Sequence, residues 1–519
     1  MRKVILILLT ALFPLCINAQ EELKVVRGDC LPDSPDATAV RHRAAQRRLP
    51  AIQNKWNPDR TYRQLVILIE FSDTEFSYTN DAHTFYEKVF NESGFNDDKG
   101  PGSVADYYRD QSQGLCNLQF DIYGPYKTSG KAQPYENPTK DTRNYGRNVL
   151  IEAANLMLAE HPDIDLSVYD WDGNKSIEQV IYVYAGKPGN LGSATYGHIW
   201  PNTSSFSTIT TATGYKISNY TCSGELWPAS KPLSCGIGTI CHEFTHSLGL
   251  PDIYPANNSY FSACDEWDLM DGGNFTNLGW CPPNFTAMEK MLLGWLTPID
   301  LTVPTSITDL KPSAEGGEVY RIMHSDSEWL LLENRQQRGW DLGAPGKGLV
   351  IYHVNYDGSA WRGNSVNNDK TKRRFYIVPA DNMDYDAWDK LYSHNSNAQY
   401  AKSPRLNNRH LSTSPYPYMA DGEVLNNQLT DTSTPASVMH YPDGSLLGKP
   451  ITNIRMSEDG LVSFDFMGGD PTGIKEIQVA GFKIQECYDL QGCGVENPVR
   501  GQLYIVRRAD GSMCKSIYR

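Results

Sequence analysis

Gly236-Ile-Gly-Thr-Ile-Cys-His-Glu-Phe-Thr-His-Ser-Leu-Gly-Leu-Pro-Asp-Ile-Tyr254 is the stretch on which the reading of this chain turns. Apolar residues recur at Ile237, Ile240, Cys241, Phe244 and Leu248, the period of a helix with one buried stripe. His242 and His246 are one helical turn apart, so their imidazoles leave the same face and can share a metal. Glu243 lies about 100° round that helix, beside the pair, where its carboxylate can reach a water without taking a ligand position. Gly249 accepts a left-handed backbone and stops the helix, and Pro251 stiffens the returning chain. Asp252 is thereby placed to supply a third ligand. Two imidazoles and one carboxylate suit zinc, with a fourth position left for water.

Glu266 is a rival for the third position, because it follows His246 at a spacing suited to a ligand on a second helix. The intervening Pro255-Ala-Asn-Asn-Ser259 has the composition of a loop, not of a ligand helix, which favours Asp252. Downstream, Trp267-Asp-Leu-Met-Asp-Gly-Gly273 reads as a tight turn carrying Met270. That turn, together with HExxHxxGxxD, resembles the metzincin proteases, in which a methionine packs beneath the zinc.

A wider resemblance is to the M6, or immune inhibitor A-like, metalloproteases, over residues 63–301. It is carried by Leu65-Val-Ile-Leu-Ile-Glu-Phe-Ser-Asp73, Ser103-Val-Ala-Asp-Tyr-Tyr108 and Tyr169-Asp-Trp-Asp-Gly173. Ile199-Trp-Pro201, Ala287-Met-Glu-Lys290 and Leu293-Gly-Trp295 complete it. The resemblance implies an α+β metzincin-like zinc protease domain of mixed sheet and helices, secreted zinc endopeptidase activity, and Asp252 as third ligand. Glu243 is then the base that takes the water's proton and passes it to the leaving amine. Protein or peptide substrates follow from that activity. Two other readings stay open: a zinc hydrolase of cell-wall or glycan-linked substrates, and an inactive surface binding protein on the same scaffold. The intact His242-Glu243-His246 set weighs against the second.

The chain has 519 residues, enough for roughly three domains. Its formal charge of −14 argues against nucleic acid or an anionic membrane as the main partner. Arg2 and Lys3 precede an apolar run from Val4 to Cys16, and Ile17-Asn-Ala19 follows, which reads as a signal peptide over 1–19. The run is too short to span a bilayer, which takes about 20 residues. Residues 20–60, with Arg41, Arg43, Arg47 and Arg48 among alanines, resemble a pro-segment. Within it Arg27-Gly-Asp-Cys-Leu-Pro-Asp33 offers Cys30 as a latency thiol on the zinc, although a disulfide or an incidental cysteine is the simpler reading. Export permits disulfides, and Cys222 with Cys235 and Cys264 with Cys281 are local pairs within reach in sequence.

Asp170, Asp172, Asn174 and Glu178 stand at positions 1, 3, 5 and 9 of an acidic loop that can wrap oxygen ligands round calcium, or can simply be a solvated turn. His198 reads either as a histidine lining the cleft or as a structural edge histidine, and His353 has the same two readings. Residues 302–467 alternate in strand fashion at Trp329–Arg335, Gly348–His353 and Leu461–Phe466, which predicts a β-sandwich. Residues 380–440 read as an extended loop system. After Gly468-Gly-Asp-Pro471, residues 472–519 read as three short strands at Lys483–Cys487, Leu503–Arg507 and Met513–Tyr518, a small C-terminal β module. Cys487-Tyr-Asp-Leu-Gln-Gly492 and Gly501-Gln-Leu-Tyr-Ile-Val506 resemble the sorting tails of type IX secretion substrates, with Cys493 where that family usually has Arg. That resemblance implies the type IX machinery as a partner and a secreted or outer-membrane-attached protein at the surface of a Gram-negative bacterium.

Overall fold

The computed structural model describes residues 56–469 apart from 135–141, 191–197, 228, 257–262, 370, 385–411 and 441–443, and beyond these 484–488, 495, 503–508 and 513–517. The expected leader, Cys30 and the arginines of the pro-segment, and the tail's Gln491-Gly492 turn with Cys493, lie outside the described residues.

Leu65-Val-Ile-Leu-Ile69 is an unbroken apolar run, which a strand can bury only if both faces of its sheet are covered. Strand β1 (Thr61–Glu70) has that environment. It pairs in parallel with β2 (Asn117–Lys127) and β3 (Val180–Tyr184). After β4 (Asn202–Thr210) the chain returns as β5 (Lys216–Gly224), parallel to β3, and β4 pairs antiparallel at the end of the sheet. The order is β2-β1-β3-β5-β4.

Alternation along each strand sorts the two faces. Leu65, Ile67, Ile69, Val180 and Tyr182 pack against Val149, Leu150, Ala153 and Met157 of a long helix. Two shorter helices precede that one in the chain: α1 (Ala82–Asn91) and α2 (Val104–Gln111), then the long α3 (Thr142–Glu160). On the opposite face Val66, Leu68, Ile181 and Val183 share a core with Tyr86 and Phe90 of α1, Tyr107 and Tyr108 of α2, and Ile240 and Phe244 of α4 (Gly238–Ser247). Ser103 caps α2 through a reciprocal box with Asp106, which is why the Ser103–Tyr108 stretch begins a helix.

Residues 56–60, counted with the pro-segment on sequence grounds, are packed into this body. Trp56 Nε1 donates to Leu293 O at 2.8 Å, its ring lies against Tyr62 and Trp295, and Arg60 Nη1 donates to Trp171 O at 2.9 Å.

Beyond the helix α5 (Ala287–Leu292) the chain enters a second sheet. Strand β6 (Ile299–Asp300) runs parallel to β8 (Tyr320–Ser325), so the pairing reaches back across residue 301. β7 (Thr305–Leu310) leaves to a separate three-stranded sheet with Ile451–Met456 and Val462–Phe466. β9 (Glu328–Arg335), β10 (Gly348–Asn355) and β11 (Phe375–Ile377) continue the five-stranded sheet antiparallel. The two sheets meet through Tyr320 and Phe464, whose ring centroids are 6.0 Å apart. The same core joins β9 and β10 to α4 and to Trp267, so the two halves share one hydrophobic interior. Three strands, Ile484–Tyr488, Leu503–Arg508 and Met513–Ile517, form an antiparallel sheet near the C-terminus.

The expected cysteine pairs are corrected by this fold. Cys222, Cys235, Cys264 and Cys281 are all buried free thiols, as are Cys116 and Cys241. Each is housed separately: Cys222 Sγ faces Trp200 O at 3.6 Å, and Cys281 Sγ faces Trp340 O at 3.3 Å. Proximity along the chain did not bring the sulfurs together, because each cysteine fills its own place in the core, where it behaves as a small apolar residue. Among the described residues no helix is long and apolar enough to cross a membrane.

Candidate metal centre

α4 starts against a tight turn. A Cβ on Gly238 would come within 2.0 Å of Asn274 O, so only glycine allows that approach. The helix is then held to the sheet and to α2. Thr203 Oγ1 donates to Glu243 O at 2.5 Å, and Tyr108 Oη donates to Cys241 O at 2.8 Å. Behind Thr203 stands a buried relay: Gln64 Nε2 to Gln179 O, Gln179 Nε2 to Thr221 Oγ1, and Thr221 Oγ1 beside Thr203 Oγ1 at 2.9 Å. These bonds fix both the rotation and the height of the helix over the sheet.

The helix ends where the sequence places its stop. Gly249 has φ +101°, a left-handed backbone that turns the chain back along the helix. Ile253 N donates to Met270 O at 2.8 Å, pinning the return strand. Asp252 consequently faces the two histidines: its Oδ1 lies 3.3 Å from His242 Nε2 and 3.2 Å from His246 Nε2. The potential ligand atoms of His242, His246 and Asp252 all fall within 4.8 Å of one another.

Hydrogen bonding on the far side of each ring sets the tautomer. His242 Nδ1 meets Leu269 O at 2.7 Å and His246 Nδ1 meets Leu250 O at 2.8 Å. A carbonyl only accepts, so each Nδ1 carries the hydrogen and each Nε2 turns its lone pair toward Asp252. His242 Nε2, Asp252 Oδ1 and Glu243 Oε1 are buried without a hydrogen-bonding partner. The Nε2 atoms of His242 and His246 and Asp252 Oδ1, so converged, fit a cation in chemistry as well as in place: zinc favours imidazole and carboxylate, and histidine ligands held by backbone carbonyls are the usual outer support.

Electrostatics points the same way. Burial opposes charge on His246, yet Asp252 outweighs it and pushes the imidazole up to about 9. Burial would also raise Asp252, but His246 and His242 hold it well below the ordinary carboxylate range. The cluster therefore favours positive charge. Glu243 is raised, first by burial, with the histidines opposing that shift. A carboxylate whose affinity for a proton is increased is suited to base work near neutrality.

Met270 is fully buried, on a turn closed by Asp271 N to Asp268 O and Gly273 N to Asp268 O. That turn supplies Leu269 O to His242 and Met270 O to Ile253, so it supports both the helix and the return strand. Glu266, on the short 3-10 turn Asp265–Trp267, is not part of the cluster. His198 is half-buried just before β4. His353 is placed as a structural group: its Nε2 lies 2.9 Å from Glu328 Oε1, between β10 and β9.

The acidic loop also gathers. Asp170, Asp172 and Glu178 bring carboxylate oxygens within 4.8 Å of one another. Asp170 Oδ1 accepts from Gly173 N and Asn174 N, and Oδ2 from Lys175 N. Asn174 is turned inward on the loop itself, accepting from Ser176 N and donating to Asp172. Burial, then the nearby Asp172, push the Glu178 carboxyl up to about 7.

Residues 53–293 match the family model described as Immune inhibitor A peptidase M6, catalytic domain. The M6 segment is also similar to the pre-pro-metalloprotease PrtV of Vibrio cholerae serotype O1, 24% identical over 276 residues, covering 45% of this chain and 30% of that protein. It is similar to Immune inhibitor A of Bacillus thuringiensis subsp. alesti as well, 24% identical over 288 residues, covering 46% of this chain and 41% of that one. The chain thus spans less than half the length of these curated relatives. The M6 match contains every residue of the His242–Glu243–His246–Asp252 cluster and the acidic loop.

Two contributors to the centre escaped the sequence reading. Thr203 reaches it from the end strand, and Asn364 lies far downstream, with its amide on Asp252. Nothing in spacing signals either one. A threonine in a strand and an asparagine after Gly363 are ordinary residues until the fold sets them against α4 and its return strand.

Proposed function

We propose that this chain is an exported zinc endopeptidase. The observation that carries the reading is the convergence of His242 Nε2, His246 Nε2 and Asp252 Oδ1, with the Glu243 carboxylate buried beside them. The M6 match and the metalloprotease relatives support the same class. Zinc held by the two histidines and Asp252 would supply the positive charge that polarises a peptide carbonyl and acidifies water. Glu243 takes a proton from the attacking water at its free Oε1 and delivers it to the departing amine. His242 and His246 keep their Nδ1 hydrogens on backbone carbonyls throughout, His242 on Leu269 O of the Met270 turn and His246 on Leu250 O just past the helix. Strand β4 lies at the end of its sheet with Thr203 next to Glu243, so an extended peptide pairing along that edge would pass the base.

The test is digestion of an unbiased peptide library by protein beginning at residue 53, the start of the M6 match. Cleavage that a chelator abolishes and zinc restores is the expected result. If fully zinc-loaded protein leaves the library intact, the inactive binding protein becomes the better reading. Cleavage confined to glycan-linked or cell-wall peptides would select the hydrolase alternative.

Calcium is proposed for the acidic loop, because three carboxylates crowd together, with Glu178 raised first by burial and then by Asp172. Saturating calcium should raise the thermal midpoint. The stabilisation is about 2.7 kcal/mol when calcium is a hundredfold above its dissociation constant. Asp172→Ala should remove that rise; an equal rise in the variant would rule the loop out.

A further inference from the structure

Asp252 does not hold its orientation by itself. Its backbone N–H donates to Asn364 Oδ1 at 2.6 Å, and Asn364 Nδ2 donates to Asp252 Oδ2 at 2.7 Å. The two bonds close a ring between one amide and one residue. An N–H needs an acceptor, so Oδ1 must face it, and the NH2 group is left against the carboxylate. One carboxylate oxygen is thereby engaged and the other, Oδ1, is aimed at both histidines.

Asn364 is itself immobilised. It follows the short helix α6 (Gly358–Arg362), which Asp357 caps by accepting from Ser359 N and Ala360 N. It adopts a left-handed backbone with φ +50°, which asparagine tolerates better than most residues. Ser365 N donates back to Ala360 O at 3.0 Å. Asn367 then grips the next residue of the return strand: its Nδ2 donates to Ile253 O at 2.8 Å and to Phe375 O at 2.7 Å. Its Oδ1 accepts from Arg374 N and Phe375 N. The segment 364–367 is thus tied to β11 on one side and to Asp252-Ile253 on the other. Both asparagines are buried, and both lie outside residues 53–293.

We propose that Asn364 is a positioning residue of the metal centre, so that the region beyond the M6 segment completes the site instead of merely following it. The proposal rests on His242, His246 and Asp252 being the metal ligands. Orienting a ligating carboxylate in advance keeps it from turning away or closing both oxygens on its neighbours. Groups in this outer position commonly govern metal affinity by about ten- to hundredfold.

The experiment measures zinc dissociation constants of the full chain by chelator competition, alongside the thermal midpoint of the zinc-free protein. Asn364→Asp keeps size and a tolerable backbone but sets an oxygen against Asp252 Oδ2. Asn364→Gly keeps the left-handed backbone and deletes both bonds, so it serves if the first variant folds poorly. Zinc affinity weakened about ten- to hundredfold, with a zinc-free midpoint close to that of the unaltered chain, is the expected result. Unchanged affinity in both variants overturns the assignment. So does a loss of binding that merely tracks the fraction already unfolded without zinc, which would make Asn364 structural only. Failure of the unaltered chain to bind zinc would instead overturn the metal centre itself, and this assignment with it.

Discussion

Glu243→Gln removes nearly all peptide cleavage and leaves zinc content unchanged. The substitution keeps volume and shape, and Glu243 does not sit among the three converging donor atoms, so metal binding has no reason to change. What it loses is the ability to accept a proton. Glu243 is 1% exposed, its Oε1 has no hydrogen-bonding partner, and burial raises its affinity for a proton. The amide of glutamine offers none of this at neutral pH. Loss of a positioned base costs about 10²- to 10⁴-fold in rate. The readout is kcat/KM on a peptide found in the library digest, with metal analysis of the same sample. Undiminished cleavage by the zinc-loaded variant would sink the role given to Glu243.

Arg335→Met lowers the free energy of unfolding by about 3–5 kcal/mol, the usual cost of breaking a buried ion pair from one side. Arg335 is fully buried on β9. Its Nε and Nη2 meet the two oxygens of Asp341 at 2.7 and 2.5 Å, and Nη1 meets Glu333 Oε1 at 3.3 Å. Nη2 also donates to Asn284 O and Trp267 O, reaching the segment that leads into the Met270 turn. Methionine fills most of the space, so the loss measured is mainly that of charge. Glu333 keeps Ser313 Oγ, Ala287 N and Tyr352 Oη, but Asp341 and Glu333 no longer have the guanidinium between them. Denaturant titration of the zinc-loaded protein gives the quantity directly. A midpoint and slope equal to those of the unaltered chain would show that the buried cluster contributes nothing net.

These two predictions differ in how far the chain alone announces them. Glu243 is readable at once, because it and the two histidines lie within one helical segment, and a period of 3.6 residues converts spacing into direction. Gly249 is readable for a similar reason: few residues other than glycine take its backbone conformation freely, so the stop and the return follow locally. The run Leu65–Ile69 announces a strand covered on both sides, and Ser103 with Asp106 announces a helix start. In each case the physics acts between residues a few positions apart.

Arg335 and Asn364 carry no such signal. A single arginine in an apolar strand is indistinguishable from a surface charge until Asp341, Glu333 and two carbonyls surround it. The cysteines make the converse point. Cys264 and Cys281 are neighbours in sequence, yet the core separates them, and sulfurs form a bond only where the fold brings them together.

The sequence by itself determined the local parts: the helix bearing His242, Glu243 and His246, its glycine stop, the position of Asp252 and the tight turn at Met270. Backbone periodicity and glycine's conformational freedom are short-range properties, and they are written in adjacent residues. Only the tertiary structure decided that Asp252 Oδ1, and not Glu266, closes on both imidazoles, and that Asn364 comes from 112 positions away to hold it there. Those contacts depend on how two sheets pack about one shared core. Such packing depends on many side chains at once, so no single spacing in the chain records it.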